Sequence, residues 1–322
     1  AGVGDDGGGD CRCVSGAVVS LDPAYLAYPQ RKRGMDHGLY PWSNLFARAP
    51  IAWPDGKRVA VVIVISCEFF PLTPVDVPFR APGHMATAFP DYRHFTARDY
   101  GSRLGVPRLL AALEAVGATA SFAMNSAWAE RFPDMARAIV VAGHEVVAHS
   151  TDMNGTIATG LCEDDERGLI GASLDGLEAV TGVRAAGWLS IARSQSWNTP
   201  RLLAEAGVGY CLDWVNDELP YRQTTPSGDI VNLPLNHELS DRQVIATCQQ
   251  SADSFAEQVR DAYAWLDGEA DGGGRMLPIH LTPYISGLPY RIDAIEALLA
   301  WLAAQPGAWF ARGDAVVAAS GV

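Results

Sequence analysis

Residues 58–70 read RVAVVIVISCEFF. From Val59 to Ile65 every side chain is aliphatic, and most are β-branched. Such a run fits a strand covered on both faces, as in a parallel sheet with helices packed over it. Ser66, Cys67 and Glu68 follow directly. A carboxylate at the C-terminal end of a buried strand sits where open α/β sheets and barrels place their chemistry. From this stretch alone, Glu68 reads equally well as a strand-end acid that simply turns into water.

The pattern then repeats. A helical stretch at 106–116 ends at Gly117 and is followed by an apolar run at 118–124. The same holds for 127–142, Gly143 and 144–149, and for 163–181, Gly182 and 184–189. A short helix at 199–206 leads through Gly207 to 209–214, and a hairpin-like stretch gives 229–235. Helix 253–267, strand 275–281, helix 291–304 and strand 308–311 complete the chain. Glycine just past a helix is the usual left-handed cap. Strand–helix alternation with short links predicts right-handed parallel crossovers. The expected fold is therefore α/β: a (β/α) barrel of seven or eight strands, incomplete or distorted. With no internal repeat or interior linker, residues 58–322 are expected to form a single domain.

Residues 1–20 are glycine- and aspartate-rich and are expected to be a disordered arm. Residues 21–57 carry Tyr25, Tyr28, Tyr40, Trp42 and Phe46, too apolar for a free tail. They are expected to pack on the barrel or on a neighbouring subunit. Residues 71–101 hold five prolines and little periodicity, which suits a lid or site wall as well as a surface excursion.

The net charge of −13 argues against a nucleic-acid backbone or an anionic membrane as partner. No apolar run approaches the length of a membrane span. Six cysteines without a CxxC pair suggest free thiols and a cytoplasmic location. The expected partner is a small-molecule substrate, with a homo-oligomer, dimer or tetramer, left open.

The polar residues after the strands form the clearest signal. Glu68 follows the first, Asn125 the second, His149 the third and Arg193 the fourth. Asp213 and Trp214 follow the fifth, His237 and Glu238 the sixth, and His280 lies near the end of the seventh. In a parallel barrel these ends share one rim, and three of the seven histidines fall there. His144 and Glu145 begin a strand at the opposite end and read as structural.

This order resembles the polysaccharide deacetylase (NodB-homology, carbohydrate esterase) superfamily over about residues 55–315. The family's first motif, an aromatic and two acids after a threonine, is similar to Ser66-Cys67-Glu68-Phe69. Glu68 then takes the position of the general base, while the second acid, a metal ligand, is Phe69. The family's H-[ST]-x-x-H motif resembles His149-Ser150-Thr151-Asp152-Met153, with Met153 in place of the second histidine. Two of the three protein ligands are thereby lost, and a thioether is a poor ligand for zinc. Gly187-Trp188, Arg193, Asn216 to Tyr221, Leu233 to Asp241, His280 and Ile285 to Pro289 resemble the PuuE-type allantoinase branch. That resemblance implies a metal-independent hydrolase of carbon–nitrogen bonds.

Under it, Glu68 is the base, Arg193 stands beside it, His280 is the general acid, and Asp213 orients His280. His149, Trp188, Trp214, His237, Glu238 and Asn125 are candidate substrate contacts; the two tryptophans read equally as core. No cofactor is expected. A divalent metal such as zinc would need Glu68, His149 and Asp152 together. Three functions follow. The first is a metal-independent hydrolase of a cyclic ureide, imide or amide. The alternatives are a metal-dependent N-acetyl carbohydrate deacetylase and a non-catalytic binding protein on a degenerate barrel.

Overall fold

The computed structural model describes residues 38–41, 43–73, 90–158 and 160–322. The arm expected at 1–20, much of the segment at 21–57 and the middle of the 71–101 loop lie outside these. Among the described residues there are nine strands: β1 Val59–Cys67, β2 Ser121–Met124, β3 Glu145–Ala148, β4 Gly187–Trp188, β5 Tyr210–Cys211, β6 Tyr221–Thr225, β7 Gly228–Asn232, β8 Arg275–Leu281 and β9 Ala308–Phe310. They form one curled sheet in the order β6-β7-β5-β4-β3-β2-β1-β8, with β9 pairing the start of β1. Every pairing is parallel except the β6–β7 hairpin. Among the described residues, β8 pairs with neither β6 nor β7, and a single parallel bridge, Ser240 to His280, spans the gap, so the barrel is incomplete there. The α/β incomplete barrel expected from the sequence is the architecture observed.

All nine residues of β1 are buried, and they divide between two cores. Val59, Val61, Ile63, Ile65 and Cys67 join the layer between sheet and helices. Ala60, Val62 and Val64 join the barrel interior with Tyr210, Leu233 and Met276. This is the two-residue period of a strand with both faces covered. A β-branched run suits both faces at once, and β1 has strands on both edges, β8 on one and β2 and β9 on the other.

Most helices lie close to their expected ranges, at Val106–Ala115, Glu163–Thr181, Thr199–Glu205, Ala252–Glu269 and Ile292–Ala303. Gly182 closes Glu163–Thr181 with φ +75°, donating its N–H to the Glu178 carbonyl at 2.8 Å. Three differences have local causes. The helix expected at 127–142 is two, Ser126–Arg131 and Pro133–Val141, because Pro133 cannot continue the first. The loop expected at 71–101 contains the helix Tyr92–Tyr100, whose start is capped by the Asp91 carboxylate receiving the Arg93 and His94 N–H groups. The edge strand β6 has a polar, half-exposed pattern that conceals it from a search for apolar runs.

The described part of the N-terminal arm packs on its own barrel. Trp53 is buried and donates its indole N–H to the Arg275 carbonyl at 2.8 Å, and Arg48 pairs with Asp217. Cys67, Cys211 and Cys248 are free thiols.

The turn Gly101–Gly105 lies directly against Pro283–Ser286, the turn after β8. A β-carbon on Gly105 would run into the Pro283 carbonyl, and one on Gly287 would meet the Gly105 backbone. Gly105→Ala is therefore expected to cost about 1–3 kcal/mol, read as a lower urea midpoint at unchanged slope. An unchanged midpoint would show that this close approach does not hold the two turns together.

Candidate active site

Strand parity decides which side chains reach the barrel mouth. Ser66 and Glu68 continue the inward series of Ala60, Val62 and Val64. His149 continues from inward Val147, and His280 from inward Met276. The three polar ends meet at a cavity of about 480 Å³, lined also by Phe70, Met153, Arg193, His237, Ser240 and Arg242. Arg193 comes from the turn after β4. There Ala192 and Arg193 both take φ +54°, a conformation non-glycine residues adopt only where their surroundings impose it. Arg242 opens the π-helical stretch Arg242–Thr247. Its neighbour Asp241 fixes that stretch to the end of β8 by accepting from the Thr282 N–H and the Ser286 hydroxyl, both at 2.6 Å.

Glu68 is buried and held by two groups. One Arg242 nitrogen donates to both its oxygens, at 2.6 and 2.9 Å, and the Tyr284 hydroxyl donates at 3.0 Å. Burial opposes the Arg242 charge, but Glu68, Tyr284 and Asp241 outweigh it and the guanidinium stays charged. Burial, with Glu68 adding to it, keeps the Tyr284 phenol protonated. This charge-assisted set is far stronger than an exposed ion pair of the same length.

Burial disfavours protonation of the two inner histidines. His149 donates from Nδ1 to the Leu189 carbonyl at 2.6 Å, which leaves the Nε2 lone pair facing Glu68 Oε1 at 3.9 Å. Burial lowers its pKa further than Glu68 raises it. His280 shares a 2.7 Å hydrogen bond between Nε2 and the Ser66 hydroxyl. Burial first, then the charges of Arg193 and Arg242, hold its pKa well below the ordinary value. Arg193 itself is pushed down to about 10 by burial, partly offset by Asp213.

Glu68, His149, His280, Arg193 and His237 thus line one cavity, as expected, but several assigned roles need correction. Asp213 does not orient His280. Its oxygens accept from the Ser190 N–H and hydroxyl at 2.7 and 2.8 Å and from Gln195 at 2.5 Å. Parity explains this: Leu212 points inward, so Asp213 does not. Arg193 does not bond Glu68; Arg242 does. A buried imidazole between two guanidiniums is a poor store for an extra proton, so His280 is not positioned as an imidazolium acid.

Trp188 is fully buried in the outer core and donates to Ser190, and it does not wall the cavity. Trp214 sits outside it against Tyr40 and Gln195. Asn125 is a buried clamp that receives the Phe69 N–H at 2.7 Å and donates to the His149 carbonyl, so it ties β1, β2 and β3 together. Glu238 is exposed and lines a separate surface groove.

Sequence reading missed Arg242 and Tyr284. Arg242 directly follows the quoted stretch ending at Asp241. Tyr284 lies four residues past His280. Neither sits at a regular strand end, so a reading by strand ends passed over both.

The donor set does not suit a divalent metal. Asp152 accepts from the Asn154 N–H and does not line the cavity, so the set Glu68, His149 and Asp152 does not assemble. Met153 fills the adjoining space, packed with Phe70 and Ile191. Among the described residues, no group of three or more His, Cys, Asp or Glu side chains is placed to hold a metal ion.

Residues 96–210 match the family model for polysaccharide deacetylase. No curated protein matches the chain. Three solved structures are similar over nearly the whole fold. A PuuE allantoinase is 26% identical, with 87% of this chain and 97% of that one covered at a TM-score of 0.77. A Pseudomonas aeruginosa PAO1 protein assigned as a polysaccharide deacetylase is 25% identical, with 87% and 97% covered at a TM-score of 0.77. One from Mycobacterium smegmatis, assigned likewise, is 26% identical, with 88% and 95% covered at a TM-score of 0.72. The chain is thus similar to polysaccharide deacetylases over residues 96–210, and its open parallel barrel is similar to those of two solved proteins assigned to that family and of a PuuE allantoinase.

Proposed function

We propose that this protein hydrolyses a carbon–nitrogen bond, other than a peptide bond, in a small cyclic ureide, imide or amide, without a metal ion. The observation that carries the reading is the facing pair Glu68 Oε1 and His149 Nε2, 3.9 Å apart at the cavity wall. Both are proton acceptors, and a water between them can donate one hydrogen to each. The solved PuuE allantoinase supports the same reading.

Hydrolysis needs an activated water, a stabilised oxyanion and a proton for the leaving nitrogen. In the proposed reaction Glu68 takes the proton from water as the oxygen attacks the carbonyl carbon. The His149 lone pair orients that water. Negative charge on the former carbonyl oxygen meets the positive charge of Arg242, which also holds Glu68. Glu68 then returns its proton to the departing nitrogen as the carbon–nitrogen bond breaks. One carboxyl group serves both steps, so no charged histidine is required. Arg242 and Tyr284 keep Glu68 aimed, and Met153 and Phe70 narrow the space around it.

Three outcomes are expected. Glu68→Gln should lower turnover of allantoin, hydantoins or succinimides by about 10²–10⁴-fold, in a protein that still folds but melts at a lower temperature because the buried Arg242 guanidinium loses its partner. Full turnover in that variant would remove Glu68 from the base role. Exhaustive chelation should leave turnover unchanged, whereas loss on chelation with recovery on adding zinc would favour a metal-dependent deacetylase. The acid limb of kcat/KM should fall below pH 6.5. A lowered histidine pKa keeps the neutral, water-accepting His149 as pH drops through the ordinary imidazole range. A limb centred above 6.5 would mean that the water site depends on another group.

A further inference from the structure

The superfamily resemblance sets an arginine beside the catalytic acid. Here that partnership has passed to Arg242, and the change leaves Arg193 uncommitted. Arg193 lines the cavity, yet its Nε and Nη2 are buried and meet no hydrogen-bond partner. Asp213 is near enough to favour its charge, but the Asp213 oxygens are taken by Ser190 and Gln195. A buried guanidinium edge without acceptors is costly, and folds retain one where a ligand completes it. The backbone strain at Ala192 and Arg193 holds that edge in place.

The Nε–Nη2 edge offers two nearly parallel N–H donors, which match the two oxygens of a carboxylate. The other titratable groups facing the cavity do not compete for it. His149, His280 and His237 have lowered pKa values, burial being the largest cause in each. Glu68 is held by Arg242 and Tyr284. The cavity therefore carries an unmatched positive charge on the Arg193 side.

We infer that Arg193 is the specificity residue of the site, holding a substrate carboxylate that is separate from the scissile carbon–nitrogen bond. This rests on the proposed hydrolase reading for the position of the scissile bond. The predicted substrate class is an anionic ureide, imide or amide bearing a carboxylate side arm. A cavity of about 480 Å³ has room for one ring and such an arm.

Equilibrium calorimetry with hydantoin-5-acetate and its neutral counterpart 5-methylhydantoin, in the Glu68→Gln background, tests the inference without requiring turnover. The carboxylate compound should bind at least about tenfold more tightly, the scale of a charge-assisted hydrogen-bonded pair. Adding Arg193→Gln should abolish that preference and leave 5-methylhydantoin affinity within about twofold. Arg193→Lys keeps the charge without the fork and should retain part of the preference, and it decides the matter if the glutamine variant fails to fold. Equal affinity for the two compounds, no binding of the carboxylate, or an intact preference in Arg193→Gln would each overturn the inference. Turnover of neutral hydantoins by the parent protein with no carboxylate preference would overturn it while leaving the hydrolase reading in place. A carboxylate preference without turnover of any ureide or imide would do the reverse.

Discussion

The site depends on a constraint that is geometric before it is chemical. A strand covered on both faces must satisfy two cores at once, and its side chains alternate between them without exception. In β1 the alternation sends Cys67 to the helices and Ser66 and Glu68 to the barrel mouth. The same parity brings His149 and His280 to the mouth and keeps Trp188 and Asp213 out of it. A one-residue slip in any of these strands would exchange a functional group for a core residue. The packing that stabilises the sheet is thus also what fixes the geometry of the candidate site.

Much of this was legible in the sequence. The alternation of strands and helices gave the open parallel barrel, and the strand ends gave Glu68, His149, Arg193, His237 and His280. Assigning Trp188 and Asp213 to the site took the strand end as sufficient and ignored the parity that was already readable in residues 187–213. Arg242 and Tyr284 were harder. Both sit on turns beyond strand ends, and their approach to Glu68 depends on how Asp241 grips Thr282 and Ser286 across the open edge of the barrel. Nothing in local periodicity encodes a contact between residues 68, 242 and 284. Strand β6, the first arm of the hairpin-like stretch, was missed for a different reason, because an edge strand with one exposed face has no apolar run to find.

The electrostatics of the mouth form a consistent set. A buried carboxylate with no counter-charge would be costly. In a metal-dependent relative of this fold a cation meets that cost; here the Arg242 guanidinium does. This exchange has consequences for the neighbours. The cation is now covalently part of the chain and lies to one side of Glu68, with Tyr284 touching both. Space that a second histidine would occupy can be filled by Met153, which packs against Phe70 and Ile191. The remaining histidines are then free to be neutral acceptors, since burial and the nearby guanidiniums both disfavour their protonation.

The exchange also changes what the cavity can select. A metal ion draws substrate by one carbonyl oxygen and is indifferent to groups further away. Two arginines at different points of the wall divide the work. Arg242 is committed to the acid, while Arg193 presents a directional pair of donors on the other side. A site built this way gains discrimination from the shape and charge of the substrate's far end, because an unfilled buried guanidinium is a penalty that only a matching acceptor removes. Glu68 and Arg193 stand on separate elements, the end of β1 and the turn after β4, so under the proposed reading the second can vary while the first stays fixed by its strand. On that reading, substrate choice can shift through the 190–195 turn without disturbing the strand that carries Glu68.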